Sequence, residues 1–512
     1  MPRMRALLTA PTRVPRAPAL VRMRGQASVF VIIVAAILLV AALMVYNSGR
    51  MVVTRIHLQN AADSAAYSGA VVMARAYNFA AYSNRAMVAN QVAIAQMVGL
   101  ASWSRYYCLI YAEDDECGDF TGFGTWDAIT AITDLFNGVN SATDVVQPVY
   151  QPLTQGLFTL LNDGTGPIVS ILNGINLALS GASQAYYVAA LADVSGASLD
   201  TGVVHRVLVA TDPKAKLATA LYGAGAAAGE ADTAASLVEM ADFIKQYKPL
   251  DYSTDPNADP NNRFHDVVMD SRDTFSSSRS SMEIAPFTVG VWSAGDCFED
   301  GGGFVIVNSL GYHGSTVLST DNKTWTANDT SPFLATGVCV IIVDVGIPIP
   351  VPIPIIVPMP PSYGRANVTD NSADKNMYTL TGSTYNGLLP YIDVKDLSKP
   401  DYTAPTFTIF AVRKADSIGT TQQLLKAGKT PIAGGNLEAS DGDAQGIMMV
   451  SASSQVYFYR PQYASDTQET PGKPNSFSST GLYGSLFSPY WEPHLVATNS
   501  IVKAAVTAAQ GL

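Results

Sequence analysis

The chain has 512 residues, of which 48 % are hydrophobic and 14 % are charged, and its formal net charge is −11. This apolar content predicts a folded chain of roughly two to four domains, or one large domain with a stalk. The acidic balance excludes nucleic acid as a partner, because phosphate backbones are bound through basic patches.

Residues Gln26 to Tyr46 form an apolar run in which only Gln26 and Ser28, at its start, are polar. A helix of this length, at about 1.5 Å per residue, matches the ~30 Å hydrocarbon core of a bilayer. We therefore predict a transmembrane helix over residues 25–46, which crosses a membrane once. The predicted membrane-anchor residues are Val29, Phe30, Ile33, Ile37, Leu39 and Leu43.

The distribution of charge predicts the orientation of this helix. Six arginines precede it, Arg50 and Arg55 follow it, and no acidic residue occurs before Asp63. Because arginine resists translocation, residues 1–24 are predicted to be a basic cytoplasmic tail and the body to lie in the periplasm or outside the cell. A cleaved signal peptide is the alternative, but its apolar core is usually only about 7–15 residues long.

The apolar run is predicted to continue as a long Ala-rich helix over residues 47–107, because no proline occurs between Ala19 and Gln147. Small residues at helical spacing let another helix approach closely, either from this chain or from a partner. In this helix they form a packing stripe that consists of Ala61, Ala62, Ala65 and Gly69.

Residues 108–250 are predicted to be a helical region. Glycine and proline predict breaks in it, at Gly138, Pro148, Gly164–Pro167, the Gly181–Ser198 region and Pro213. The turn-rich stretch Asp251–Asn262 marks a domain boundary.

Residues 263–496 are predicted to be a β-rich domain, and residues 497–512 a C-terminal helix. Short β-branched or aromatic segments bounded by turn residues are the predicted strands: Phe304–Asn308, Thr316–Leu318, Val338–Val345, Met377–Leu380, Thr406–Arg413, Ile447–Ala452 and Ser454–Arg460. The predicted fold class is therefore α+β, with an N-terminal transmembrane helix continuing into a long helix, a helical layer, and then a mainly antiparallel sheet domain.

The segment Val345–Pro361 carries proline at alternate positions. Proline cannot donate a backbone hydrogen bond to a ladder, so this segment is predicted not to be a central strand. Two readings stay open: an edge or cover over the chain's own core, or an apolar ridge that reaches a partner or a membrane surface.

The four cysteines are Cys108, Cys117, Cys297 and Cys339. An even number in an exported body favours disulfides, and the natural pairing joins Cys108 to Cys117 and Cys297 to Cys339. Two other connectivities stay open. No pair has the spacing of a zinc site.

The sequence carries no nucleophile elbow, zinc-protease, P-loop or dinucleotide-binding motif, and its five histidines are scattered. Three acidic stretches resemble metal sites, but loops, turns or a helix end explain them better: Asp114–Glu116, Asp193–Ala197, and Asp255 with Asn257 and Asp259. We therefore predict a protein that is not an enzyme, with no catalytic residue, metal, cofactor or small-molecule substrate.

The block Leu58–Ala70, LQNAADSAAYSGA, follows the apolar run, and Arg24-Gly25-Gln26 precede it. These residues resemble the N-terminal region of TadE/TadG-like proteins of bacterial tight-adherence (Flp) pilus-assembly systems. Gln455–Pro461 and Leu486–Trp491 are similar to sequences near the C-terminus of some members. The resemblance implies a non-enzymatic envelope component, minor pilin-like or an assembly factor, whose partners are other pilus-assembly or envelope proteins.

Some relatives are cut after a glycine by a prepilin peptidase. Gly25 could take that place here, although Phe30 stands where such pilins usually have glutamate. The leading hypothesis is a single-pass component of Tad/Flp-type pilus assembly in the bacterial inner membrane. A surface adhesin or binding module is the alternative, and a membrane-tethered hydrolase is a weaker one.

Overall fold

The architecture is α+β, with one very long N-terminal helix, further helices, and antiparallel sheets. The computed structural model describes residues 26–111, 143–196, 201–222, 224–249, 258–259, 262–279, 288–294, 303–309, 312–344, 348–367, 378–379, 385–396, 403–414, 417–419, 447–459 and 484–499. The predicted fold class is confirmed.

Helix α1 (Gln26–Tyr111) is a single helix of 86 residues. Its length follows from the absence of proline and from its many alanines, which have the highest helix propensity. At about 1.5 Å per residue it extends over roughly 130 Å. The predicted transmembrane and Ala-rich helices are therefore two parts of one element.

Helix α2 (Thr143–Ser195) packs antiparallel along the C-terminal part of α1, with Asn176 opposite Asn90 and Tyr187 opposite Tyr77. The breaks predicted at Pro148 and at Gly164–Pro167 are wrong, because α2 runs through both, whereas the break predicted in the Gly181–Ser198 region is confirmed, because α2 ends there at Ser195. Glycine costs about 1 kcal/mol in a helix and proline about 3. Packing along α1 outweighs these local costs.

Helix α2 ends within the Asp193–Ala197 stretch, at Ser195, so this stretch is a helix end as expected. The segment after it contains short elements: α3 (Gly202–Thr211), β1 (Lys216–Leu217), a 3-10 turn (Ala220–Tyr222), α4 (Ala224–Phe243), β2 (Ile244–Tyr247), α5 (Arg263–Asp270) and α6 (Thr274–Ser277). The strands β1 and β2 correct the purely helical reading of residues 108–250. They form because each pairs with a strand of the C-terminal half.

The remaining strands are β3 (Thr288–Ala294), β4 (Gly303–Ser309), β5 (His313–Leu318), β6 (Trp325–Asp344), β7 (Pro348–Asn367), β8 (Tyr378–Thr379), β9 (Tyr391–Val394), β10 (Phe407–Lys414), β11 (Ile447–Phe458) and β12 (Trp491–Val496). Within the described ranges these strands form three sheets. Their strand orders are β1-β10-β11-β12, β2-β9 and β3-β4-β6-β7-β8, with β5 also paired to β6. All described strand pairs are antiparallel except β7 with β8.

The proline-rich segment lies in β7, which pairs with β6 along its length. On its other side the described residues pair only at Ala366 and Asn367, with β8. Each even position from 348 to 354 is a proline, so only the odd-numbered residues can donate backbone hydrogen bonds to β6. The proline nitrogens face the open side of β7, which therefore lacks backbone N–H donors along this stretch. The segment is an edge strand here, in agreement with the expectation that it is not central.

Two apolar cores lie along α1. The proximal core contains α1 residues from Leu58 to Ala80, packed with α2, α3, α4 and strands β9 to β12. The distal core contains α1 residues from Met87 to Ala101, packed with α2, α5, β5 and the start of β6. The long helix is thus the element that both cores share.

The predicted C-terminal helix is corrected at its start. The Ala-rich stretch Leu495–Gln510 favours a helix, but Leu495 and Val496 lie in β12, paired with Ser454 and Ser453. Residues 497–499 have no regular structure, and residues 500–512 lie outside the described residues. Sheet pairing therefore overrides local helix propensity at this point.

Candidate membrane anchor and the docking of the body on its helix

The predicted anchor residues lie on the outside of α1. Val29, Phe30, Ile33, Ile37 and Leu39 are each more than half exposed, and Leu43 is partly exposed. Within the described part of the chain, α1 is the one helix long and apolar enough to cross a membrane, and none of its most apolar window is buried by the protein. Such a surface is unstable in water and suits the hydrocarbon of a bilayer.

The body begins close to the end of the anchor. Asn47 and Thr54 are buried, and Leu58 is fully buried. The Arg50 guanidinium donates through Nη2 to the Ile418 carbonyl oxygen at 3.2 Å. The loop before β11 therefore contacts α1 about one turn beyond Tyr46.

The packing stripe lies inside the core of this chain. Ala61, Ala62 and Ala65 have no exposed surface. A Cβ atom added at Gly69 would lie 2.9 Å from Cε1 of Phe407 in β10 and 3.3 Å from Cγ2 of Val204 in α3. The small residues thus let a sheet and a short helix of the same chain approach α1 closely.

Polar side chains fix the register between α1 and β11. Gln59 Nε2 donates to the Ser451 carbonyl oxygen at 3.0 Å, and the Ser454 hydroxyl donates to the Ala66 carbonyl oxygen at 2.7 Å. Ser454 is fully buried. These bonds are specific in direction, which apolar packing of alanines alone is not.

An aromatic cluster surrounds the fully buried Tyr77 of α1. Its ring lies 5.5 Å from that of Trp491, 5.8 Å from Phe243 and 6.3 Å from Tyr187, measured between centroids. Burial raises the pKa of the Tyr77 phenol well above its usual value. The cluster joins α1, α2, α4 and β12 in one contact.

The C-terminal stretch Leu486–Trp491, which resembles the family, docks on α1 near this cluster. Asn78 makes a reciprocal pair with the Trp491 backbone, donating to its carbonyl oxygen at 2.8 Å and accepting from its N–H at 3.0 Å. Asn84 donates to the Leu486 carbonyl oxygen at 2.7 Å. Arg85 donates through Nε to the Phe487 carbonyl oxygen at 2.6 Å. Sequence reasoning did not find these amides, whose partners lie about 400 residues away.

A buried ion pair between Arg279 and Asp329 lies beside Gly99 of α1, at the end of the distal core. Arg279 Nε and Nη2 lie 2.6 and 3.0 Å from the two carboxylate oxygens of Asp329, and both residues have no exposed surface. Burial raises the pKa of Asp329, and Arg279 opposes that shift. A Cβ atom added at Gly99 of α1 would lie 2.8 Å from Arg279 Nη1. Glycine at this position therefore makes room for the arginine.

A second ion pair joins Arg263 of α5 to Asp393 of β9, with Nη1 and Oδ2 3.1 Å apart. Burial raises the pKa of Asp393, with Arg263 opposing. The nearby Asp259 carboxylate accepts hydrogen bonds from the Arg263 N–H at 2.6 Å and from the Tyr391 hydroxyl at 2.7 Å. Asp259 thus stabilises the start of α5; Asp255 and Asn257 lie outside the described residues.

The remaining predicted residues are placed as follows. Cys108 lies near the end of α1 and Cys339 in β6, while Cys117, Cys297 and Asp114–Glu116 lie outside the described residues. The disulfides therefore stay a prediction. Among the described residues, no group of three or more His, Cys, Asp and Glu side chains is arranged to hold a metal ion.

Comparison with known families supplies the last observation. Residues 25–74 match the family model of Flp pilus-assembly TadE/G-like proteins. The first part of α1 is a TadE/G-like domain. The match confirms the resemblance carried by Leu58–Ala70 and covers both the membrane anchor and the packing stripe. No curated protein and no solved structure matches the chain.

The TadE/G-like domain relates the chain to Tad/Flp pilus assembly. Together with the exposed apolar helix, it indicates membrane association in a bacterial envelope system. The stretches Gln455–Pro461 and Leu486–Trp491 lie outside the matched residues. The α1 residues that Leu486–Trp491 contacts, Tyr77, Asn78, Asn84 and Arg85, also lie beyond the matched residues.

Proposed function

We propose that this chain is a non-enzymatic, single-pass membrane component of a Tad/Flp-type pilus-assembly system, minor pilin-like or an assembly factor. Its N-terminus lies in the cytoplasm, and its α+β body is exported beyond the inner membrane. Its partners are other pilus-assembly or envelope proteins.

One observation carries this proposal. The helix that contains the TadE/G-like domain exposes large apolar side chains over its first part and buries small ones in the body over its second part. A single rigid element therefore holds the body at the membrane. The arginines before residue 25, against a body with an acidic balance, support the proposed orientation.

The test removes the anchor from the full chain. Deleting Val29–Val45 is expected to move the protein from the membrane fraction to the soluble fraction or to degradation. Replacing the same residues with an unrelated apolar transmembrane segment is the matched control, and it should restore membrane recovery. Recovery of the deletion variant in a carbonate-washed membrane pellet would contradict the proposal.

The orientation is tested separately. A reporter that is active only outside the cytoplasm, fused after Leu512, is expected to be active. A reporter that is active only in the cytoplasm, fused at the same place, is the control and should be silent. The opposite pattern would reverse the proposed topology.

The role in pilus assembly is tested by deletion. A strain that lacks the chain is expected to lose its surface pili and to regain them on complementation.

A further inference from the structure

Helix α2 lies on the outside of the body and exposes large apolar side chains. Its buried side faces α1 and mixes polar with apolar residues: Thr165, Asn173, Asn176 and Ser183 lie beside Val169, Tyr187, Ala190 and Val194. On its outward side, Ile171 is 64 %, Leu177 61 % and Val188 56 % exposed. An exposed apolar surface of this kind marks a site that another surface covers.

The outward side follows a heptad pattern. Apolar residues recur with alternating spacings of three and four, which is the pattern of a coiled-coil seam. All of the seam positions are exposed: Ile168, Ile171, Ile175, Ala178, Ala182, Ala185 and Ala189. No charged residue occurs from 164 to 192. We call these seven residues the α2 seam.

The bilayer that holds the anchor does not reach the α2 seam. Tyr187, beside the seam's C-terminal end, packs against Tyr77 of α1. Tyr77 lies 31 residues beyond Tyr46, which is about 46 Å along the helix axis. From there α2 runs further away from the anchor, because it is antiparallel to α1. The distance therefore excludes the lipid of that bilayer as the occupant of the α2 seam.

We propose that the α2 seam joins two copies of this chain in a parallel helix pair. Such a contact places each seam residue against its own counterpart, so one apolar face complements itself. The flanking positions Gly174, Gly181 and Val188 are uncharged, so two copies meet no like-charge repulsion there. A Cβ atom added at Gly174 or Gly181 would meet nothing within 4 Å, which leaves space for a second backbone to approach.

The parallel direction rests on the proposed membrane anchoring, since two copies anchored in one bilayer point the same way. The pairing itself does not rest on it. A different partner would need a recognition feature, and charged flanking residues are the usual one in coiled coils. Their absence beside the α2 seam favours a second copy.

The experiment measures the mass of the full chain in detergent, corrected for bound detergent. The expected protein mass is twice 54.2 kDa. Replacing Ile171 and Ile175 with Glu is expected to reduce it to the single-chain value, because two charges per copy would enter the apolar contact. The matched control is Leu177→Glu, which is equally exposed but lies off the seam, and it should stay dimeric. Thermal unfolding of each variant checks that the chain still folds.

A photo-crosslinking residue at position 171, in cells that carry two differently tagged copies, provides the second readout. Capture of the other tagged copy through an α2 peptide is the expected result. A single-chain mass for the unaltered protein would overturn the proposal. Equal disruption by Leu177→Glu, or capture of only a different protein or of lipid, would also overturn it. The anchor test is read from the membrane fraction, whereas the pairing is read from the protein mass measured in detergent. The two proposals can therefore fail separately.

Discussion

The two parts of α1 have opposite relations between side-chain size and exposure. From Val29 to Tyr46 most of its large aliphatic side chains are exposed, whereas from Leu58 to Tyr106 most of its alanines are buried. Both parts are rich in apolar residues and both belong to one continuous helix. The difference shows that apolar content alone does not predict which part of a helix the protein itself covers.

Side-chain size explains the difference. Lipid adapts to large side chains, which bury more apolar area per residue. A sheet or a helix with a fixed backbone instead approaches closely only where side chains are small. Gly69 and the alanines before it allow this approach, and each substitution below probes one side of the comparison.

The largest expected effect comes from placing a charge in each part. Ala65→Arg would bury an unpaired charge in the proximal core and cost about 4 kcal/mol or more, enough to unfold the body. Ile37→Arg would instead raise the cost of membrane insertion by about 3 kcal/mol and leave the body's unfolding temperature unchanged. Thermal unfolding in detergent and membrane flotation measure the two effects. An equal loss of unfolding temperature in both variants would contradict the comparison.

The next largest effect concerns the buried ion pair between Arg279 and Asp329. Arg279→Ala leaves the buried Asp329 carboxylate without its partner and should lower the free energy of unfolding by about 3–5 kcal/mol. The double variant Arg279→Met with Asp329→Leu removes both charges and should recover most of that loss. Urea denaturation of the detergent-solubilised chain gives both values. If the double variant were as unstable as the single one, desolvation would not be the cause.

Two glycines of α1 provide a matched pair of smaller effect. Gly69→Val would push against Phe407 and Val204 and should cost about 1–3 kcal/mol. Gly49→Val, where an added Cβ meets nothing within 4 Å, should change stability by less than about 0.5 kcal/mol. Unfolding free energies of the two variants test this. A similar cost at both positions would show that the loss at position 69 does not come from contact with Phe407 and Val204.

The smallest effect is a pH dependence at the end of the distal core. Burial alone would raise the pKa of Asp273, but hydrogen bonds from Ser276 and Gln96 outweigh it and hold this pKa below its usual value. The stabilisation is therefore present above the unfolded pKa of about 3.9 and is lost as the pH falls through the lower folded pKa.

Asp273→Asn keeps the helix cap of α6, because asparagine caps as well as aspartate does. It should change the free energy of unfolding at pH 7 by less than about 1 kcal/mol and should make that free energy fall less between about pH 5 and pH 2. Unfolding curves at several pH values measure the slope. An unchanged slope would show that Asp273 does not contribute to the acid sensitivity.

Much of the site could be predicted from local pattern. The anchor follows from a charge-free run, α1 from the absence of proline, and six of the twelve described strands from β-branched or aromatic segments between turn residues. The edge position of β7 follows from alternate prolines, since a missing backbone donor is a property of the residue itself. The TadE/G-like block was also readable from Leu58–Ala70, because its signal is contiguous in sequence.

Only the tertiary structure decided what covers each apolar face. It placed the packing stripe against Phe407 and Val204 of the same chain, carried α2 through Pro148 and Gly164–Pro167, and drew Leu495 into β12. Each of these outcomes depends on a contact between residues far apart in sequence. Local propensity amounts to about 1 kcal/mol per residue for all but proline, whereas packing and hydrogen bonds summed over a whole helix or strand exceed it.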